Sequence, residues 1–224
     1  MSVIFVAGTD TGVGKTAVTA ALAAIAHAEG VAVAVVKPVQ TGVEPGEPGD
    51  LDEVRRLSGV GDVHELARYP EPLAPATAAR RAGAGGVGAE AIADAVGALA
   101  GRDLVLVEGA GGLLVRFDEA GTTLADAAAL LGAPVVVVTR AGLGALNQAA
   151  LSCEALHARG LDCPGLVIGL WPAEPDLAER CNLDDLPDYA GRPLLGRIPE
   201  GAPALEPAVF AERAHTWIST EGLL

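Results

Sequence analysis

Basic residues are few in this sequence of 224 residues. It contains 15 lysines and arginines against 29 aspartates and glutamates, which gives a formal net charge of -14. Proteins that bind the phosphate backbone of nucleic acids need clustered lysine and arginine, so we expect no nucleic-acid partner. The acidic balance is instead typical of a soluble cytoplasmic protein.

Cysteine and long apolar runs are also lacking. Cys153, Cys163 and Cys181 are widely spaced and form no Cys-x-x-Cys pair, so the sequence indicates neither a disulfide framework nor a zinc site. The apolar segment at residues 3–7 is too short for a signal peptide or a membrane span. No later run approaches the ~18 residues that a membrane helix needs. We therefore expect a cytoplasmic protein with no membrane partner.

Aromatic residues make up only 3% of the chain, whereas half of all residues are hydrophobic. A chain with so much apolar surface is not globally disordered. Short valine-rich runs alternate with alanine-rich stretches, a pattern typical of βαβ units. Strands that are buried on both faces of a parallel sheet have continuous apolar runs, as these have. The sequence therefore predicts an α/β fold with one doubly wound, mostly parallel sheet and helices on both faces, in a single domain at residues 1–224.

The pattern also predicts where the elements of this fold lie. Strands are predicted at residues 3–7, 31–36, 104–107, 135–138, 165–168 and 194–198. Helices are predicted at residues 15–29, 89–99, 123–131, 146–158 and 208–219, and a further helix is predicted to begin at Asp50. We expect Gly30 to end the first helix in a left-handed conformation. Loops are predicted at residues 43–49, 68–75 and 83–88, and the chain from Pro172 onward is expected to be less regular.

A glycine-rich loop connects the first predicted strand to the first predicted helix. Residues 8–16 read Gly-Thr-Asp-Thr-Gly-Val-Gly-Lys-Thr, with one residue more between Gly8 and Gly14 than the pattern G-x-x-x-x-G-K-[ST] allows. A glycine-rich turn that binds nothing is the alternative, but the strand, the Gly-Lys-Thr sequence and the helix agree with one another. We therefore predict a P-loop that binds a nucleoside triphosphate. Lys15 would contact the β- and γ-phosphates, and Thr16 would hold magnesium through its hydroxyl.

Charged residues follow two further predicted strands, where ligands bind in open α/β sheets. Lys37 follows the second strand, and beside a P-loop it could neutralise charge that develops during phosphoryl transfer. Glu108 follows the third strand, at a position where P-loop enzymes place a magnesium carboxylate. Asp50 has two open interpretations, because Asp50 and Glu53 have the spacing of a helix-capping box and a carboxylate at this place could also bind magnesium.

Four motifs together resemble the dethiobiotin synthetase family. They are the P-loop at 8–16, Lys-Pro-Val-Gln-Thr-Gly at 37–42, Val-Glu-Gly-Ala-Gly-Gly at 107–112 and Leu-Gly-Ala-Leu-Asn at 143–147. Their order and spacing match the family across roughly the first two-thirds of the chain. The resemblance implies a cytoplasmic, magnesium- and ATP-dependent ligase of biotin synthesis that joins 7,8-diaminopelargonate and carbon dioxide. The ureido ring would close through a carbamate and a carbamic-phosphoric anhydride.

The resemblance also implies roles for individual residues. The catalytic residues would be Lys37, Lys15 and Thr11, and the magnesium ligands would be Thr16, Asp50 and Glu108. The nucleotide would be bound by Gly12, Val13, Gly14, Lys15, Thr16, Ala17, Asp50, Glu108, Gly109, Ala110, Gly111, Gly169, Arg197, Ile198 and Pro199. The substrate would be bound by Thr41, Gly144, Leu146 and Asn147. Members of the family are homodimers in which the last three positions receive the substrate carboxylate across the interface.

Two residues depart from the family pattern. Gly169 stands where many relatives have an asparagine that reads adenine, so we expect other nucleoside triphosphates to compete with ATP. Gln148 stands where relatives often have histidine after the interface asparagine. Two alternatives are a cobyrinic or cobyric acid amide synthase and a partitioning-type ATPase switch. The first usually carries an additional glutamine-hydrolysing domain, and the second usually has a lysine in the P-loop where this chain has Asp10.

Overall fold

Seven parallel strands form one sheet in the order β3-β2-β4-β1-β5-β6-β7 in the computed structural model, which describes residues 1–223. The strands are β1 (Ser2–Gly8), β2 (Val33–Thr41), β3 (Val63–Tyr69), β4 (Leu104–Gly112), β5 (Val135–Thr139), β6 (Leu166–Trp171) and β7 (Leu194–Pro199). Every pair of neighbouring strands within this sheet is parallel. The predicted α/β fold is therefore confirmed. Leu224, the last residue of the predicted domain, lies outside the described residues.

Eight α-helices cover the two faces of the sheet in the described part of the chain. They are α1 (Lys15–Ala28), α2 (Asp50–Ser58), α3 (Pro75–Arg81), α4 (Ala89–Gly97), α5 (Leu124–Leu131), α6 (Ala145–His157), α7 (Leu177–Ala190) and α8 (Pro207–Trp217). Side chains of α1, α2 and α8 belong to the core on one face, and side chains of α3 to α7 belong to the core on the other. Within residues 1–223, no helix is both long and apolar enough to cross a membrane.

The central strand β1 shows why continuous apolar runs form this sheet. Phe5 and Ala7 contribute to one core, whereas Ile4 and Val6 contribute to the other. Successive side chains of a strand point to opposite faces, so a strand that is covered on both sides needs an apolar residue at every position. The same rule explains β5, in which all five residues are buried.

The first helix, α1, is built for close packing behind the P-loop. Its residues from Ala17 to Ala26 are buried, and most of them are alanine, whose small side chain lets the helix approach the sheet. Gly30, with φ of 81°, follows its end in the left-handed conformation that glycine adopts most easily. This expectation from the sequence is confirmed.

Three strands continue at their carboxyl ends by three to five residues more than the sequence predicted. The strand β2 continues to Thr41 and β4 continues to Gly112, so Lys37 and Glu108 lie inside strands. Likewise β6 continues to Trp171, so Gly169 lies inside a strand and not after it. Polar and glycine residues suggested loops at these positions, but hydrogen bonding to neighbouring strands keeps the backbone extended.

One strand and two α-helices were missed in the sequence. The edge strand β3 carries His64, Glu65 and Arg68, which are only partly buried, so it has no apolar run that could reveal it. The helix α3 lies directly after a loop rich in proline. The helix α7, in the region that we expected to be less regular, begins with a capping box between Asp176 and Glu179 and buries little besides Asn182 and Leu186. Its apolar pattern is therefore weak.

Candidate active site

A cavity of about 710 Å³ lies at the carboxyl edge of the sheet. Its walls come from the P-loop, the end of β2, the start of α2, the turn between β3 and α3, and the end of β4. Ligands of open α/β sheets bind at this edge. Of the predicted site residues, the cavity is lined by Thr11, Gly12, Gly14, Lys15, Thr16, Lys37, Thr41, Asp50, Ala110 and Gly111.

The P-loop runs from β1 to the first residue of α1. Gly12 and Gly14 have φ angles of 71° and 93°, which only glycine adopts without strain. The Lys15 side chain is folded across the loop, where its Nζ donates to the backbone oxygen of Asp10 at 3.0 Å. Burial, together with the nearby Lys37 ammonium, lowers the pKa of Lys15 to about 8. An anion beside both lysines would therefore be strongly favoured.

Lys37 lies in the centre of a buried charged cluster, which we call the Lys37 cluster and define as Lys37, Asp50, Glu108 and Thr16. The Lys37 Nζ is 2.6 Å from Glu108 Oε1, 2.5 Å from Asp50 Oδ2 and 3.0 Å from the Gly109 backbone oxygen. The Thr16 hydroxyl donates to the same Glu108 Oε1 at 3.1 Å. The side chains of Lys37 and Glu108 are 3% and 0% exposed, whereas that of Asp50 is 37% exposed. Four different elements, α1, β2, α2 and β4, thus bring these residues together.

In this cluster, pairing between opposite charges affects the pKa values more than burial does. Burial by itself would lower the pKa of Lys37, but the carboxylates of Glu108 and Asp50 raise that pKa above its ordinary value. Burial would raise the pKa of Asp50, but the Lys37 ammonium lowers it. Both groups are therefore ionised at neutral pH, and a positive charge is held at the base of the cavity.

Asp50 does not cap its helix as one of our two interpretations proposed. The residue before α2 is Gly49, and its backbone N–H donates to Asp52 Oδ2 at 2.8 Å. Asp50 is the first helical residue, and its carboxylate turns toward Lys37 instead. The capping-box interpretation of Asp50 is therefore wrong, because Gly49 is the N-cap residue and Asp52, the third helical residue, bonds back to it.

The Lys37 cluster has ligands suited to magnesium. Glu108 Oε2 is buried and has no hydrogen-bond partner among the described residues. A buried carboxylate oxygen without a partner is costly unless a ligand pairs with it. Together with the Thr16 hydroxyl and the Asp50 carboxylate, it provides the oxygen ligands, one or two of them carboxylates, that magnesium uses beside phosphate oxygens.

Gly169 is packed against the P-loop. A Cβ atom at this position would be 2.1 Å from the backbone oxygen of Val13 and 2.9 Å from the Gly14 Cα atom. Neither backbone atom can move without shifting the loop itself. This contact gives a physical reason why the chain carries glycine here, since an asparagine side chain in this conformation would collide with the loop.

Other predicted residues lie outside the walls of the cavity. Gly144, Leu146 and Asn147 lie at the start of α6, and the neighbouring Leu143 is 85% exposed. On β7, the Arg197 guanidinium lies 4.8 Å from the centre of the Trp171 ring, and Ile198 is buried in the core. Pro199 is exposed at the end of β7. Val13, Ala17 and Ile198 have buried side chains, so they could contact a nucleotide chiefly through their backbone.

Sequence reasoning missed the apolar wall of the cavity. Val39, Leu73, Val115 and Leu170 line it, as does the buried amide of Gln40. Only Gln40 had a signal in the sequence, as a polar residue between Lys37 and Thr41. Leu73 and Val115 lie in turns whose place in the fold is decided by tertiary contacts.

Arg140 was also missed. It follows β5, and its guanidinium Nη2 is 2.7 Å from Asp10 Oδ2 in the P-loop. The other oxygen of Asp10 accepts from the Thr11 backbone N–H at 2.7 Å. Arg140 therefore connects the end of β5 to the first half of the P-loop.

A family model described as an AAA domain matches residues 2–208. Several curated proteins named ATP-dependent dethiobiotin synthetase BioD are similar over most of the chain. The protein from Frankia casuarinae is 66% identical over 90% of this chain and 85% of its own length. That from Streptomyces coelicolor is 60% identical over 98% of this chain and 92% of its own. That from Rhodococcus jostii is 58% identical over 100% of this chain and 97% of its own.

Solved structures share the fold at low sequence identity. The septum site-determining protein MinD from Pyrococcus horikoshii, solved with Mg-ADP, has a TM-score of 0.61 at 17% identity and covers 96% of this chain and 95% of its own. A ParA family ATPase from Chlorobium tepidum has a TM-score of 0.57 at 16% identity, and the match covers 96% of this chain and 92% of the ATPase. These likenesses support the P-loop NTPase type of α/β fold.

Proposed function

The chain belongs to the dethiobiotin synthetase family of ATP-dependent ligases, and we propose that it converts 7,8-diaminopelargonate and carbon dioxide to dethiobiotin with magnesium-ATP. The observation that carries this proposal is the Lys37 cluster beside the P-loop, at the base of a cavity with one apolar wall. Such a site can bring a phosphate, a carboxylated amine and an aliphatic chain together.

The reaction would begin when one amine of the substrate attacks carbon dioxide. A C–N bond forms, the amine proton leaves to solvent, and a carbamate anion results. The ammonium groups of Lys15 and Lys37 would hold this anion near the γ-phosphate, where two negative groups must meet. The Thr11 and Thr41 side chains, which line the same cavity, would donate hydrogen bonds to it.

Phosphoryl transfer would follow. A carbamate oxygen forms a bond to the γ-phosphorus, the bond to the β-phosphate oxygen breaks, and ADP leaves. Positive charge positioned in advance around the phosphoryl oxygens is the main contribution that a protein makes to this step. Thr16, Asp50 and Glu108 would hold magnesium, which when bound supplies further neutralisation of the phosphate charge.

Ring closure would complete the reaction. The second amine attacks the carbonyl carbon of the carbamic-phosphoric anhydride, the C–O bond to phosphate breaks, and the amine proton is released. The ureido ring and inorganic phosphate are the products. The cavity would keep the two amines close together, because the apolar residues Val39, Leu73 and Val115 offer a wall for the carbon chain.

We also propose that the protein is a homodimer. Gly144, Leu146 and Asn147 would then bind the distal carboxylate of a substrate held mainly by the partner. Their position at the N-terminus of the 13-residue helix α6 supports this role, because backbone N–H groups at a helix start favour an anion. Cytoplasmic location and the lack of nucleic-acid and membrane partners stay predictions from the sequence.

The decisive experiment incubates the purified protein with diaminopelargonate, labelled bicarbonate and magnesium-ATP, and detects products by mass spectrometry. We expect labelled dethiobiotin and an equal amount of phosphate. ATP binding or hydrolysis without this product would overturn the substrate assignment and favour an amide synthase. Substantial ATP turnover without any diamine would favour an ATPase switch.

The nucleotide preference follows from Gly169. Its position against the P-loop leaves no side chain there to read the base, which supports our expectation that other nucleoside triphosphates replace ATP. A panel of ATP, GTP, CTP and UTP at matched concentrations should give comparable initial rates. Nearly exclusive use of ATP would contradict this expectation and would indicate that backbone groups elsewhere read adenine.

A further inference from the structure

The loop at residues 43–49, which leads into Asp50, is held by two side chains from neighbouring strands. Gln40 of β2 and Arg68 of β3 lie directly opposite each other in the strand register. Arg68 reaches the loop, which contains two glycines and two prolines, and Gln40 reaches Asp50 at its end. Because this loop leads directly into Asp50, whatever fixes the loop backbone also restricts the position of Asp50.

Gln40 contacts the backbone of Asp50 itself. Its side chain is buried with 5% exposure, and Oε1 accepts from the Asp50 N–H at 3.0 Å. The Nε2 of the same amide donates to the Thr41 backbone oxygen at 3.2 Å. The first N–H groups of a helix have no partner inside the helix, so Gln40 satisfies a group that would otherwise stay unpaired at the edge of the cavity.

Arg68 holds the earlier part of the loop. Its Nη1 donates to the backbone oxygens of Glu47 at 2.6 Å and Glu44 at 3.2 Å. Its Nε and Nη2 donate to the two carboxylate oxygens of Glu65, at 2.7 and 2.9 Å, so the guanidinium plane is fixed from the strand. An arginine whose guanidinium binds a carboxylate through two nitrogens and backbone oxygens through a third is held rigidly.

Gly49 lies between these two side chains. A Cβ atom at Gly49 would be 2.8 Å from Arg68 Nη2 and 3.0 Å from Gln40 Oε1. The chain therefore passes directly over both groups before it enters α2. A displacement of either side chain would therefore open space beside the residue that immediately precedes Asp50.

We propose that Gln40 and Arg68 are positioning residues that hold the Asp50 carboxylate against Lys37. The Asp50 side chain is 37% exposed, so without this support it could turn toward solvent. The link to activity rests on the proposed role of Asp50 as a magnesium ligand. The support of the Asp50 backbone does not depend on that role and can be measured separately.

The first experiment measures hydrogen exchange of the Asp50 amide by NMR, with no nucleotide or metal present. Gln40→Met keeps the length of the side chain but removes the acceptor, and Arg68→Met removes the contacts to the loop. We expect exchange to become about tenfold faster in Gln40→Met, the effect of losing one hydrogen bond of ordinary strength. Exchange should also become faster in Arg68→Met, because the loop that leads to Asp50 loses two hydrogen bonds. Gln40→Glu keeps an acceptor and should keep slow exchange.

The second experiment compares ADP binding with and without magnesium by calorimetry. Arg68 does not line the cavity and the P-loop is intact, so in Arg68→Met the affinity without magnesium should stay within about twofold of the wild type. The gain in affinity on adding magnesium should fall about tenfold, since one carboxylate ligand is no longer in place. Arg102→Met, at the opposite edge of the sheet, is the matched control and should change neither quantity.

The outcomes separate the possible roles. Unchanged exchange of the Asp50 amide in both methionine variants would overturn the proposal. Equal losses of affinity with and without magnesium would show a general structural role and would also overturn it. If magnesium gives no gain in the wild type, the proposed metal role of Asp50 fails, while the exchange measurement still decides whether Gln40 and Arg68 support this residue.

Discussion

The two edges of the sheet carry polar contacts of similar length in opposite surroundings. At the carboxyl edge, Lys37 is 2.5 and 2.6 Å from the carboxylates of Asp50 and Glu108. At the amino edge, Asp62 is 2.5 Å from Arg102 and 2.7 Å from His64. The distances are nearly equal, but Lys37 is 3% exposed, whereas Arg102 is 44% exposed and His64 is 41% exposed.

Burial decides what each set can do. Exposed ion pairs contribute about 0–1 kcal/mol, because water screens the charges and both side chains lose freedom. A buried charge has no water to replace a lost partner, so its loss costs far more. The carboxyl edge can therefore hold a fixed positive charge for chemistry, whereas the amino edge carries ordinary surface pairs. Substitutions at the two edges should differ accordingly.

The largest expected effect is that of Lys37→Met. Turnover should fall about a hundred- to a thousandfold, because a charge that is preorganised for the transition state is lost. The free energy of unfolding should fall by about 3–5 kcal/mol, because Glu108 stays buried without its cation. Single-turnover kinetics and urea denaturation measure the two quantities.

A double variant sharpens this prediction. Lys37→Met combined with Glu108→Gln removes both buried charges, so stability should recover in part while turnover stays low. A Lys37→Met protein with wild-type turnover would remove Lys37 from the catalytic site. Wild-type stability would show that the cluster is better solvated than its burial indicates.

The next effect is that of Gly169→Ala. The added Cβ atom would meet the Val13 backbone oxygen, so the P-loop must shift. We expect a loss of about 1–3 kcal/mol in stability, as is typical of overpacking, and weaker nucleotide binding. Thermal unfolding and ADP calorimetry measure both. Gly61→Ala at the amino edge is the matched control, because a Cβ atom there has no neighbour within 4 Å.

The smallest effect is that of Arg102→Met. This pair is largely exposed, so the free energy of unfolding should fall by less than about 1 kcal/mol, and less still in high salt. Turnover should not change. Urea denaturation at low and high salt tests this, and a loss above about 2 kcal/mol would contradict the contrast between the two edges.

The pH dependence of this small effect has a defined sign. Burial by itself would raise the pKa of Asp62. Hydrogen bonding to His64 and Arg102 outweighs burial and lowers this pKa below its ordinary value of 3.8. A lowered carboxylate pKa adds stability above the pKa of the unfolded chain, and this stability is lost as pH falls through the folded pKa. The difference between wild type and Arg102→Met should therefore shrink below about pH 4.

Sequence patterns revealed the strands that are buried on both faces and missed two elements that solvent reaches. The strands β1 and β5 are covered on both faces, so each of their apolar runs was recognised. The edge strand β3 has polar residues because solvent reaches it, and the same exposure weakened the pattern of α7. Asp50 was ambiguous because the spacing of a capping box fits two helix registers, and the observed register pairs Gly49 with Asp52.

The sequence by itself determined the α/β fold, the P-loop between β1 and α1, and the family, because these depend on local spacing and on continuous apolar runs. Only the tertiary structure decided that Lys37 lies between Asp50 and Glu108, that Gly169 lies against the P-loop, and that Gln40 and Arg68 support Asp50. These contacts join residues from different strands and loops. They depend on strand order, register and burial, which arise when the whole sheet is packed.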